Sequence, residues 1–124
     1  MQEFLSATEG FGVDEPQKSV TIRIAGNTGL PCLLALRAKG YRVWLDYHRF
    51  GGPEVANPRY QLDYQAECEG GYFSATTPEE LLGLVVMWEV RGNDWRLKPG
   101  EGAIDDELHA ASRTFDSDGN ELPE

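Results

Sequence analysis

Two stretches of this chain alternate apolar and polar residues with a period of two, and a loop rich in glycine and proline separates them. In residues 41–49, Val43, Leu45 and Tyr47 fall on one side, and Arg42, Trp44, Asp46 and His48 fall on the other. In residues 60–68, Tyr60, Leu62, Tyr64, Ala66 and Cys68 oppose Gln61, Asp63, Gln65 and Glu67. A period of two is that of a strand with one buried face. Gly51, Gly52, Pro53, Asn57 and Pro58 break the chain between the two stretches, so they are expected to pair as antiparallel neighbours. Such a ribbon has one apolar side, and the rest of a 124-residue chain must cover it.

The cover is also legible. Residues 30–39 read as a helix, with Pro31 tolerated in the first turn and Gly40 as a stop. Thr77 caps a second helix, Pro78 takes its first position, Glu80 completes a capping box, and Gly92 ends it. This second helix is apolar nearly all round. It reads as the central buried helix, with self-association through it as the other use of so much apolar surface. Two more strands are expected. In residues 20–24, Val20, Ile22 and Ile24 alternate with Thr21 and Arg23, and residues 72–75 follow a Gly70-Gly71 turn. The order β-α-β-β-β-α gives an α+β domain over residues 19–98, with a small, mainly antiparallel sheet and both helices on one face. The flanks, 1–18 and 99–124, are polar, and the second is expected to hold a short helix at 105–112 and a hairpin about Ser117-Asp118-Gly119.

The net charge of −10 is unevenly spread. Residues 19–98 hold nine acidic and nine basic side chains, so the excess lies in the flanks, −3 in 1–18 and −7 in 99–124. An acidic chain repels polyphosphate at long range, which argues against direct nucleic-acid binding and for a basic protein partner. The longest apolar run, residues 81–88, is far too short to cross a membrane, and Met1-Gln2-Glu3-Phe4-Leu5 lacks the basic, apolar opening of a secretory signal. Cys32 and Cys68 both point inward on this pattern and read as reduced core thiols, so a cytoplasmic protein is expected.

Three motifs suggest chemistry. Gly26-x-x-Gly29 before a helix, with Arg37-Ala38-Lys39-Gly40-Tyr41-Arg42-Val43 behind it, resembles the opening of a dinucleotide-binding Rossmann unit over about 25 residues. It departs from that family where Cys32 stands at the third glycine position, beside Pro31, and where meandering strands replace repeated βαβ units. The turn is therefore read as a close approach between backbone and helix, and no cofactor is expected. Asp116-Ser117-Asp118-Gly119-Asn120-Glu121 opens like a calcium loop, but its glycine is fourth rather than sixth and no twelfth ligand follows, so a hairpin turn is expected. With only His48 and His109 as histidines and two cysteines, no metal site is expected.

The third constellation is the polar face of the ribbon. Trp44, Asp46 and His48 share a face with Asp63 and Glu67 of the neighbouring strand, amid Arg23, Arg42 and Gln65, while Ser74 and Thr76 fall outside it. An aromatic inside a polar rim has the anatomy of a protein-binding patch, with the flanks, through Phe4, Phe11, Leu108 or Phe115, as its competing cover. The expected function is a non-catalytic protein-binding module, of the kind of bacterial immunity proteins or phage-encoded inhibitors that neutralise a basic toxin. The alternative is a small enzyme or ligand-binding domain using Trp44, Asp46, His48 and Asp63, with His48 as a general base held by carboxylates.

Overall fold

The computed structural model describes residues 19–54 and 56–123. Along the chain run α1 (Gly29–Ala38), β1 (Arg42–Phe50), β2 (Arg59–Cys68), β3 (Gly71–Ala75), α2 (Pro78–Arg91), α3 (Ala103–Ala110), β4 (Thr114–Phe115) and β5 (Glu121–Leu122). The described residues up to Leu82 make one compact unit and those from Gly83 onward another, so the boundary falls inside α2. The α+β class is as expected from the alternation and the helix signals.

In the first unit, β1, β2 and β3 form an antiparallel sheet in that order. Arg42 lies opposite Glu67, Trp44 opposite Gln65, Asp46 opposite Asp63 and His48 opposite Gln61. On the other side Gln65 faces Ser74, and Glu67 faces Tyr72. Directly opposed residues share a sheet face, so one register decides which side chains meet. Glu69 and Gly70 make the tight β2–β3 turn, and Gly70 adopts a left-handed φ of +92° that any side chain would resist.

Helix α1 ends as its sequence dictates. Gly40 takes a φ of +100°, its amide donates to the Arg37 carbonyl at 2.9 Å, and the Tyr41 amide donates to the Leu36 carbonyl at 3.1 Å. This is the Schellman arrangement, whose usual apolar contact joins the residue after the glycine to the last turn. Both residues here, Leu36 and Tyr41, are buried. With Ala66 and Leu81 they form the core of the unit, and α1 packs on β1. Helix α2 begins at the predicted cap, where the Glu80 amide donates to Thr77 Oγ1 at 3.1 Å. The Glu80 carboxylate accepts from the hydroxyls of Thr76 and Thr77 rather than from a backbone amide. Of its apolar residues, Leu81 and Val85 are fully buried one turn apart, whereas Val86 and Val90 are 43% and 78% exposed.

One expected element is absent. Residues 20–24 belong to no ladder, and no backbone hydrogen bond joins them to any described residue. Val20, Ile22 and Ile24 stand 67%, 74% and 75% exposed. Alternation states a preference for a pleated, half-buried surface, and a strand forms only where an edge is there to pair with it. The flank residues Phe4 and Phe11 lie outside the described residues.

The second unit has the short helix and the hairpin expected of the acidic flank. Arg91 organises its start, donating from Nε to the Trp95 carbonyl at 2.8 Å and from its terminal nitrogen to Glu101 at 2.5 Å. Glu101 also accepts the Lys98 amide at 2.7 Å, and the Arg91 hydrogen bond is the main reason its carboxyl is held below its ordinary pKa. In the β4–β5 turn, Asp116 Oδ1 accepts the amides of Asp118 and Asn120, both at 2.9 Å, and Gly119 takes a φ of +89°. The hydrogen bond from the Asn120 amide leads the causes that hold the Asp116 carboxyl low. The side chain that opens the calcium-like motif is thus engaged in closing a turn.

Candidate functional site

The register gathers all five residues expected at the binding face. Trp44, Asp46 and His48 project from β1 to the same side as Asp63 and Glu67 of β2. A connected network then fixes them. The Trp44 indole donates to Asp46 Oδ2 at 3.2 Å, and Gln65 Nε2 donates to that same oxygen at 3.1 Å. The Tyr72 hydroxyl donates to Gln65 Oε1 at 2.9 Å, which brings β3 into the network. Gln65, with 4% of its surface exposed, is the buried polar side chain of the sheet. Burial is tolerated because both ends of its amide are engaged.

Above this network lies an aromatic plate. The Arg42 guanidinium sits 4.2 Å over the Trp44 ring, and the Tyr72 ring centroid is 6.0 Å from that of Trp44. Arg42 is itself held by Glu67 at 3.1 Å. Trp44 is consequently half-buried, with Arg42, Asp46 and Tyr72 fixing its orientation. At the other end of the face, His48 Nε2 lies 3.3 Å from Asp63 Oδ2, and Gln61 Nε2 donates to Asp63 Oδ1 at 3.0 Å. Asp46 and Asp63 are opposite each other on neighbouring strands, yet each carboxylate has its own donors. The ionisable groups on this face include three carboxylates, the guanidiniums of Arg42 and of Arg59 opposite Phe50, the His48 imidazole and the Tyr72 phenol.

Two placements differ from the sequence reading. Ser74 faces Gln65 across β2–β3 and so belongs to this face, because the short β3 strand pairs with residues 64–68 rather than lying apart. Arg23 is not on the face; it lines a cleft of about 500 Å³ with Ile22, Pro31, Cys32 and Leu82, since its segment never joins the sheet. Arg42, Gln65 and Tyr72 are the site residues that sequence reasoning underweighted. Alternation places Arg42 and Gln65 on the face, but only the β2–β3 register brings in Tyr72.

No family model, curated protein or solved structure matches this chain.

Chemically, the face can hold and present, and its groups are ill-placed for nucleophilic catalysis. Ser74 pairs with Gln65 and His48 with Gln61, four residues apart along β2. At the rise of a strand this is about 13 Å, well beyond hydrogen-bond reach. Cys32 is no better prepared, since burial first and the nearby Glu79 charge second raise its thiol pKa. Cys32 and Cys68 are both free thiols. Among the described residues no three His, Cys, Asp or Glu side chains converge on a metal position. The glycine turn serves close packing, because a Cβ on Gly29 would come within 3.3 Å of the Pro78 ring. Next to it the Thr28 hydroxyl donates to Glu79 at 2.6 Å, and this bond leads the causes that lower the Glu79 pKa. The start of α1 therefore already faces a carboxylate, which argues against a pyrophosphate there.

Proposed function

We propose that this chain is a non-catalytic protein-binding module, an inhibitor or immunity-type protein that neutralises a basic partner such as a toxin in the bacterial cytoplasm. The observation that carries the reading is the Arg42–Trp44–Tyr72 plate, locked from below by Asp46 and Gln65. A pre-positioned aromatic loses little freedom on binding, which is what makes such residues affinity anchors. Asp46, His48, Asp63 and Glu67 surround it with polar and mostly acidic groups, and the −10 net charge steers a cationic partner toward the chain.

The test uses a basic protein captured from the native host and then purified. Trp44→Ala should weaken its binding by at least about 2 kcal/mol, roughly 30-fold, with the circular dichroism of the module unchanged. Asp63→Lys and Glu67→Lys should chiefly slow association, and more so at low salt. Undiminished affinity in folded Trp44→Ala would remove this face as the anchor. The second reading, a small enzyme or ligand-binding domain, rests on the His48–Asp63 pair and would gain from a small molecule whose binding is lost in His48→Ala.

A further inference from the structure

Residues 20–24 keep the alternation of a strand and lack the ladder of one. Three aliphatic side chains, Val20, Ile22 and Ile24, are two-thirds to three-quarters exposed in succession, and none of the segment's backbone groups bonds to another described residue. Natural sheet edges avoid this condition by carrying charge or by being short. The edges of the described sheet follow that rule. β1 carries Arg42, Asp46, His48 and Arg49, and β3 is only five residues long. Segment 20–24 is as short as β3, but its one charge is Arg23 and its three aliphatic side chains are all exposed.

We infer that this segment is a self-association edge, and that its occupant is residues 20–24 of a second copy, paired antiparallel about a two-fold axis at Ile22. The segment's own symmetry selects a second copy. With Ile22 opposite its equivalent, Val20 faces Ile24 and Thr21 faces Arg23, so every apolar residue meets an apolar one on a single face. A slip of one residue either way would set an aliphatic side chain against Arg23. A slip of two toward the C-terminus would set the two arginines opposite each other, and a slip of two the other way would leave only residues 20–22 paired, about Thr21. Cross-strand pairs of like charge, or of charge against aliphatic, are the unfavourable ones. A two-fold interface needs a patch complementary to itself, and the register about Ile22 is the one that pairs all five residues in this way. Strand addition of this kind also supplies the backbone partners that the segment lacks among the described residues. Ile22 lines the cleft beside Pro31, Cys32 and Leu82, so apolar surface behind the new ladder extends the contact. The plate around Trp44 takes no part, and the inference stands or falls apart from the binding function proposed for it.

The experiment is sedimentation equilibrium on the full chain across micromolar concentrations, with Ile22→Lys alongside. The wild type should dimerise, and Ile22→Lys should dimerise at least tenfold more weakly with unchanged far-ultraviolet circular dichroism. A monomeric wild type, or a dimer that persists in Ile22→Lys, would overturn the inference. Register is read separately by oxidative cross-linking with Cys32 and Cys68 replaced by serine, which also covers failure of the lysine variant to fold. Ile22→Cys should cross-link to itself, and Val20→Cys should cross-link only when mixed with Ile24→Cys. Equal self-linking by Val20→Cys and Ile22→Cys would exclude the two-fold at Ile22.

Discussion

Gln65 is where the stability of the sheet and the shape of its polar face meet, and Gln65→Leu measures how much that junction contributes. Leucine keeps roughly the same volume at a position only 4% exposed, and it removes two hydrogen bonds. A hydrogen bond to a charged group contributes about 1.5–3 kcal/mol net, and a neutral one about 0.5–1.5. The second is mostly recovered, because Tyr72 is 59% exposed and its hydroxyl can turn to water. The first is partly offset by the apolar burial that leucine gains and by the Trp44 indole, which still donates to Asp46. The expected cost is therefore about 1–2 kcal/mol, or roughly 4–8 °C in Tm for a domain of this size. Thermal and urea unfolding followed by far-ultraviolet circular dichroism would measure it. Gln65→Glu isolates the electrostatic part: it sets a second carboxylate beside Asp46, so it should cost more at neutral pH and regain stability as acid protonates the pair. A Gln65→Leu protein that melts at or above the wild-type temperature would refute the reasoning, since the network would then contribute no net stability.

Two further outcomes test the core and the hairpin. Leu36→Ala should cost about 2–5 kcal/mol by leaving a cavity at a fully buried site, whereas Leu34→Ala, at a 52% exposed position two residues earlier, should cost under about 1; denaturant midpoints compare them directly. The β4–β5 turn should be pH-dependent, because the Asp116 carboxyl is held below its ordinary pKa by the amides it accepts. Its contribution is complete above the ordinary carboxylate value and is lost as pH falls through the lowered one. The amide chemical shifts of Asp118 and Asn120 should follow that course and should be collapsed at every pH in Asp116→Ala.

By itself the sequence determined what depends on neighbours along the chain. Thr77, Pro78 and Glu80 mark the start of α2, and Gly40, Gly70, Gly92 and Gly119 all sit at left-handed φ values that punctuate the elements. The alternation in β1 and β2 fixed which side of the sheet is polar, and so placed Trp44, Asp46, His48, Asp63 and Glu67 together. Tertiary structure decided what depends on an edge or a register. The same alternation that makes β1 a strand leaves residues 20–24 outside the sheet, because periodicity describes a face and cannot supply a pairing partner. It also decided that α1, apolar along most of its length, buries Leu36 while Leu30 and Leu34 stay exposed. Finally, Trp44 is half-covered by Arg42 and Tyr72, the latter brought in by the β2–β3 pairing. Register is a long-range choice, fixed by turn geometry and by which faces find cover, and only the folded chain makes it.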